Sequence, residues 1–415
     1  MTESALALTL LQRLETESTA ASLEALDACR RICREQGVAL YLVGGTVRDL
    51  VLGRQGYDLD LTLEADVAPV ADGVAKATGG KAIVHRRFGT ARVSGRGFRL
   101  DLARARREGY PHPGSLPVVA PATLTEDLAR RDFTINAVAL RLEPAPLEVI
   151  DPFRGVADTR SSLVRVLHER SFQDDATRML RGVRYSARLD FKLATQTAAL
   201  IRRDLSYLGT ISGPRLRRDL GLLFEEPAAV AGTRLAQELG VLGAIHPSLG
   251  LAEDVAERWQ TALDGPKRAP LDELGFCVVA DPQDEGTAAS VSKWLHLTGR
   301  IEKALSDLVR LRSQSPKLAS MRTTPSQATE TLDRFAPAAV WANAVLEGGE
   351  TAQACLDYLA EWRHVRPHLT GDDLLALGVT QGAGLGEALR RLRAARLDGR
   401  IHTREEEIAM VRSLS

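Results

Sequence analysis

At 415 residues with 44% apolar content, the chain is long enough for more than one hydrophobic core. It has no run of about 18 apolar residues, which excludes a helical membrane span. Fifty-four Lys and Arg balance 54 Asp and Glu, so net charge does not point to a polyanionic partner, but its distribution does. Between Ser161 and Leu220 twelve basic residues, nearly all Arg, stand against six acidic ones.

The N-terminal segment, residues 1–36, reads as a short helical extension. Acids interrupt its apolar residues, unlike the clean apolar core of a secretory signal, and Ser22–Gln36 has helical periodicity. Cys29 and Cys33 lie one helical turn apart with no second pair to complete a zinc site. With Cys277 and Cys355 they read as reduced thiols of a cytoplasmic protein. Val38–Val43 is a β-like run ending in Gly44-Gly45. Asp58–Leu63, Ala82–Val84, Ala91–Val93 and Arg99–Leu102 follow as strands, then a Pro- and Gly-rich loop from Gly109 to Ala122. Ile135–Leu140 and Leu147–Ile150 are further strands, which makes residues 37–160 a mixed α/β head. From Leu163 the pattern turns helical: Asp174–Phe191, Gln196–Leu205 and Pro214–Phe224 carry apolar residues at helical spacing. The rest is almost wholly helical and divides into a neck (161–226), a body (227–325) and a tail (326–415). A Pro-, Ser- and Thr-containing break, Ser313–Ser326, separates the last two. The fold class is therefore α+β, a mixed sheet with helices followed by an elongated all-α region.

The chemistry concentrates in Leu42-Val43-Gly44-Gly45-Thr46-Val47-Arg48-Asp49 and Asp58-Leu59-Asp60. A strand running into two glycines lets backbone approach a phosphate, and the following helix N-terminus adds N–H donors. Arg48, in the first turns of that helix, adds positive charge at a triphosphate. An Asp-X-Asp on a strand presents both carboxylates on one face, a hard oxygen pair suited to Mg²⁺. Asp101, between two leucines in a strand, is expected as a third acidic group beside Asp58 and Asp60.

These segments resemble the DNA polymerase β nucleotidyltransferase superfamily. Arg130-Arg131-Asp132-Phe133-Thr134-Ile135-Asn136-Ala137 resembles the second motif of the class II tRNA nucleotidyltransferase and bacterial poly(A) polymerase family. Asp151–Asp158 is similar to its third motif and Asp174–Arg184 to its fourth. The resemblance implies a polymerase-β-like head and addition of C, A or both to the tRNA 3′ end from CTP and ATP. It implies catalytic Asp58, Asp60 and Asp101, with Mg²⁺ on Asp58 and Asp60. Nucleotide contacts are expected from Gly44, Gly45, Arg48, Arg130, Arg131, Asp132 and Asn136. In the family the acid and first arginine of the fourth motif read the base; here they are Asp175 and Arg178, placed at i and i+3 of one helix. Arg181 and Arg184 continue that face toward the nucleotide.

The helical remainder is expected to hold the acceptor end and elbow of tRNA; Arg390, Arg391, Arg393 and Arg396 read either as contacts to its backbone or as a solvated helix face. Asp174 replaces the family's usual Glu, and Pro214 and Asp219 stand where Glu is usual in the fifth motif. A poly(A) polymerase of the same family and a non-catalytic RNA-binding protein on the same scaffold are the alternatives. Residues Ile83–Val93, with Phe88-Gly89-Thr90, favour the tRNA-maturing branch. Whether the chain adds CCA, CC or A stays open.

Overall fold

The computed structural model describes residues 3–55, 58–297, 299–318 and 324–414. It divides into two compact units. The first runs to Ile211 and includes Leu239–Val241; the second comprises Ser212–Glu238 and the chain from Leu242. The expected break at Ser313–Ser326 includes residues 319–323, which lie outside the described residues.

The first unit begins with helices α1 (Glu3–Glu17) and α2 (Ala20–Glu35). Thr19 caps α2 by accepting from the Ser22 N–H at 3.1 Å, which satisfies one of the free donors at a helix start. Strand β1 (Leu40–Val43), helix α3 (Gly45–Leu52), strand β2 (Leu59–Leu63), helix α4 (Val67–Thr78) and strands β3 (Lys81–His85), β4 (Thr90–Gly95) and β5 (Phe98–Arg104) follow. After them come β6 (Arg106–Gly109), β7 (Val118–Pro121), α5 (Leu124–Ala129), β8 (Ala139–Glu143), β9 (Glu148–Ile150) and α6 (Gly155–Arg160). The unit ends with β10 (Leu163–Val164), α7 (Ser171–Asp174), α8 (Thr177–Leu189), β11 (Lys192–Leu193) and α9 (Thr195–Asp204).

Seven strands form one sheet in the order β3-β4-β5-β2-β1-β8-β9. Every neighbouring pair is antiparallel except β2 and β5, which run parallel with Asp60 opposite Asp101. Strand alternation sends Leu59, Leu61, Leu63, Ala91, Val93, Leu100 and Leu102 to one face. There they share a single core with Leu40 and Leu42 and with the buried faces of α1, α2 and α4. Cys29 and Cys33 lie in that core. The opposite face carries Asp60, Arg92, Arg99 and Asp101, so the period of two separates core from chemistry.

Four local expectations are corrected. Ile135–Leu140 is not one strand: Thr134–Asn136 forms a 3₁₀ turn and the strand starts at Ala139. Short-range bonds hold the turn, with Asn136 N–H on Phe133 O at 3.0 Å and the Asn136 amide donating to Asp132 at 3.0 Å. The expected Gly109–Ala122 loop contains a strand, because β7 lies within it and pairs with β6 in a two-stranded antiparallel ribbon. Pro121 is tolerated there because a two-stranded ribbon has only edges. Asp58 precedes β2 rather than opening it. Its carbonyl accepts from the Thr46 hydroxyl at 2.5 Å and from the Asp60 N–H at 3.1 Å. Finally, Asp174–Phe191 is two helices, broken at Asp175, whose backbone is extended at φ −145° and ψ 101°.

The second unit is helical among its described residues. Helix Leu271–Ala280 has two acids in its first turn, is apolar from Leu274 onward and is buried over most of its length, the pattern of a central helix. It packs against Gly213–Phe224, Arg300–Arg312 and Pro337–Glu347. Phe224 meets Phe276 edge-on at 5.1 Å. Pro214 lies in the first turn of its helix, where its missing N–H costs nothing. Toward the C-terminus Leu369, Leu374, Leu392, Ala395, Ile401 and Val411 make a separate small core. Glu407, fully buried, ties it together by accepting from the N–H groups of His368 and Leu369 at 2.9 and 2.8 Å and from Arg396 at 3.1 Å. Thr370 caps Gly371–Ala376 as its sequence suggests, paired with Asp373 in a capping box.

Candidate active site

Gly44 ends β1 with φ 71° and ψ −130°, a conformation that disfavours any side chain. A Cβ there would also stand 2.6 Å from Nη1 of Arg131. The glycine therefore lets the guanidinium of the second motif lie against the turn of the first. Arg131 is held by Asp127 at 3.0 Å and by the Asn136 carbonyl at 3.3 Å. It lines a cleft of ≈ 490 Å³ with Asp60, Arg92 and Asp101.

Arg48, expected at the triphosphate, is only 4% exposed. Its guanidinium forks onto both Asp49 oxygens at 2.9 Å and donates to Asn136 Oδ1 at 2.7 Å. It also lies over the Tyr185 ring, 5.5 Å from its centroid. Arg181 and Arg184 face the same ring at 5.7 and 5.6 Å. Tyr185 is thus the hub of an arginine cluster that no sequence motif announced; its only signal is its place four residues after Arg181. Arg181 also donates to buried Asp132 at 2.8 and 2.5 Å. Burial pushes the Asp132 carboxyl up, but Arg181 and the Asn136 hydrogen bond win and hold it below the usual carboxylate range.

Among the acids, Asp60 projects from the polar face of β2 into the cleft. Burial, followed by the charges of Asp101 and Asp58, raises its carboxyl above the ordinary range. Asp101 sits directly across the parallel ladder from Asp60, yet both its oxygens are engaged. Arg92 donates to one at 2.7 Å, and Arg99 to the other at 2.9 and 2.5 Å. Burial raises the Asp101 carboxyl and these hydrogen bonds more than reverse it. Among the described residues no three metal-ligating side chains already converge. The acids nonetheless fit a hard divalent ion, because Asp60 carries an unfavourable concentration of like charge that a cation relieves. Such an ion commonly takes one or two carboxylates and completes its shell with water and substrate phosphates.

The fourth motif is rearranged relative to expectation. Asp175 and Arg178 do not share a helix face. The Asp175 carboxylate accepts from the Thr177 N–H and hydroxyl at 3.1 and 2.8 Å, drawn there by the free donors at the start of α8. Arg178 is buried, donating to Ser171 Oγ at 2.9 Å and to the Arg130 carbonyl at 2.8 Å. Beside it lies a pocket of ≈ 260 Å³ whose lining includes Glu108, Tyr110, Arg130, His168 and Asp174. Arg130 belongs to this second pocket, bonded to Glu108 at 2.9 Å and Asp127 at 2.7 Å. Tyr110, from the ribbon loop, donates to Glu108 at 3.0 Å, and burial pushes its hydroxyl up to about 12. Asp127, which anchors both Arg130 and Arg131, was not singled out from sequence.

The third motif is structural in its visible contacts. Asp151 accepts from the Gly155 and Val156 N–H groups at 2.6 and 2.9 Å. Asp158 accepts from Thr134 at 2.7 Å, which fastens the Thr134–Asn136 turn to α6.

A family model described as the poly(A) polymerase head domain matches residues 40–165. A second, described as a probable RNA and SrmB-binding site of polymerase A, matches 190–251. An A-adding tRNA nucleotidyltransferase of Halalkalibacterium halodurans is 32% identical over 389 residues, covering 90% of this chain and 88% of that relative. The chain belongs to the class II tRNA nucleotidyltransferase and poly(A) polymerase family. A CC-adding tRNA nucleotidyltransferase of Deinococcus radiodurans is also 32% identical, over 90% of this chain and 89% of its own length. A solved CCA-adding enzyme of Thermotoga maritima, complexed with tRNA, matches 98% of the chain with a TM-score of 0.78 and 25% identity. Nucleotidyltransferases of this family generally use a divalent metal. No helix among the described residues of this family member is long and apolar enough to cross a membrane.

Proposed function

We propose that the protein is a template-independent tRNA nucleotidyltransferase that adds C, A or both to the tRNA 3′ end from CTP and ATP, in the cytoplasm. The observation that carries this is the Asp60 carboxylate in one cleft with Arg131, itself seated on the Gly44 turn. An acid for a metal and a cation for a triphosphate then face one cleft. The relatives and the tRNA-bound neighbour support the same reading.

In the reaction the terminal 3′-hydroxyl oxygen bonds to the α-phosphorus of the nucleotide, and the bond to pyrophosphate breaks. Asp58 and Asp60 would hold Mg²⁺, which supplies activation of the hydroxyl and neutralisation of the leaving pyrophosphate. Arg131, with the N–H groups after Gly44, binds the triphosphate. Arg48 acts from behind, fixing Asn136 and through it the turn that carries Arg131. Asp132 orients Arg181, and Arg181 and Arg184 extend positive charge from the Tyr185 hub toward the nucleotide. Arg178 lines the second pocket and Asp175 closes the start of its helix. These two residues read the exocyclic amine and ring acceptor shared by cytosine and adenine.

The test is an addition assay on tRNAs ending before CCA, after C and after CC, each with CTP, ATP or both. Addition of the missing nucleotides supports the proposal and tells CCA, CC and A addition apart. Long A tracts on unrelated RNA overturn it in favour of a poly(A) polymerase, and no incorporation with any pair leaves a binding protein.

A further inference from the structure

The register of the sheet aligns four side chains in one row. Ile83 pairs with Arg92 across β3 and β4, Arg92 with Asp101 across β4 and β5, and Asp101 with Asp60 across β5 and β2. Directly opposed residues share a face, so the row runs about 14 Å, three strand spacings, from Ile83 to Asp60. All four line the same cleft. Arg99, two residues before Asp101, joins the row through its bonds to that carboxylate.

The chemistry along this row is graded. Ile83 is an exposed apolar side chain, 55% accessible, with Lys81 and His85 on its own strand and Thr90, Arg92 and Ser94 on the next sharing its face. Arg92 and Arg99 are 50% and 49% accessible while sharing a single carboxylate, so the triad carries a net charge of +1. Exposed ion pairs contribute little stability, so stability does not account for two arginines gathered beside a catalytic acid. Asp101 fixes one edge of each guanidinium and leaves other N–H donors toward solvent, the preorganised fork that binds phosphate. The triphosphate has Arg131 on the β1 side of Asp60, whereas this pair lies on the β5 side.

We propose that this row seats the 3′-terminal single strand of the RNA. Arg92 and Arg99 grip the phosphodiester linking the last nucleotide to its predecessor, and Ile83 supports the preceding base. Asp101 is a positioning residue for the two arginines, and the attacking hydroxyl is thereby delivered to Asp60. This rests on the nucleotidyltransferase reading above.

The test uses the full chain in EDTA, reading affinity for a fluorescent tRNA minihelix by anisotropy, alongside steady-state KM values with metal. Charge-assisted hydrogen bonds of this kind correspond to roughly tenfold in affinity or more. Arg92→Gln with Arg99→Gln should therefore weaken minihelix binding about tenfold, with the nucleotide KM within about twofold. A minihelix carrying a neutral methylphosphonate at its last linkage should bind the unaltered protein about as weakly, yet lose nothing more on the double variant. Asp101→Asn should reduce RNA affinity in the unaltered background and have no further effect in the double variant, which a merely structural role would not produce. A rise in nucleotide KM with unchanged RNA affinity assigns the arginines to the triphosphate and overturns the proposal. So does a methylphosphonate penalty that persists undiminished in the double variant. The methylphosphonate result on the unaltered protein stands even if a variant fails to fold. Absence of any nucleotide addition by the unaltered protein instead overturns the function itself, and this inference falls with it.

Discussion

At the scale of single residues, Asp60 is both the acid the chemistry needs and a strain on the fold. Its raised carboxyl means that folding disfavours its ionised form. The cost is absent below the ordinary carboxylate range and grows as pH rises through the elevated folded value. Asp60→Asn should therefore raise the melting temperature of the metal-free protein at neutral pH while lowering nucleotide addition by at least about 10³-fold, the scale of losing a metal-clustering acid. Added Mg²⁺ should stabilise the unaltered protein more than the variant; equal stabilisation would remove Asp60 from the metal site. Asp132 has the opposite sign. Its lowered carboxyl contributes stability above the unfolded value near 4, and that stability is lost as pH falls through the folded value. Gly44→Ala forces both a left-handed backbone and a Cβ against Arg131, at about 1–3 kcal/mol. A raised nucleotide KM is expected, with RNA affinity retained.

Which of these residues can be read from sequence follows from how local their geometry is. Gly44, Gly45 and Asp60 are legible because a strand-to-helix turn and a period of two are short-range facts. Arg92, Arg99 and Asp127 are not, because their significance comes from strands and turns brought together by pairing. Asp175 misleads for another reason. Spacing of i and i+3 presumes an unbroken helix, whereas the donors at the start of α8 compete for its carboxylate.

At the scale of elements, α8 and the β6–β7 ribbon meet the second pocket from different directions. Asp175→Ala removes an acceptor from the Thr177 N–H, at a cost of about 1 kcal/mol, and removes the acid proposed to read the amine. Discrimination of CTP and ATP against UTP and GTP should fall by roughly 10–100-fold, the scale of one or two base-edge contacts. Unchanged discrimination would leave Asp175 as a cap alone. Arg130 fastens the ribbon to α5 by bridging Glu108 and buried Asp127. Arg130→Ala removes one cation from each carboxylate, while Glu108 keeps Arg106 and Tyr110 and Asp127 keeps Arg131; it should cost about 1 kcal/mol, read as a lower denaturation midpoint with faster amide exchange in Arg106–Pro121. The fold itself was legible at this scale as an α/β head followed by helices. The ribbon was hidden because Pro and Gly, which signal loop, are also what a short edge pair tolerates.

At the scale of the whole molecule, the C-terminal core depends on one buried acid. Glu407→Ala leaves two backbone N–H groups without their acceptor, at about 1–3 kcal/mol each. Amide exchange should accelerate across Leu369–Val411 while the sheet of the first unit keeps its protection. Uniform acceleration throughout both units would mean the C-terminal core is not separately stabilised. The arginines of Ala383–Leu397 read from sequence either as RNA contacts or as a solvated helix face; in the structure Arg390 and Arg391 pair with Glu387, Arg393 with Asp333 and Arg396 with Glu407. Sequence alone places them on a helix but cannot show which acids reach them.

The parallel pairing of β2 with β5 has a consequence for how such a head can change over time. Asp60 alternates with Leu59 and Leu61, and Asp101 with Leu100 and Leu102, all four leucines sealed in the core. A single inserted or deleted codon within either strand would exchange acid for leucine, sending charge inward and oil outward in one event. The ribbon loop between Gly109 and Val118 bears no such coupling. Length variation among descendants should therefore gather in that loop, while these two strands accept substitutions but not changes of length.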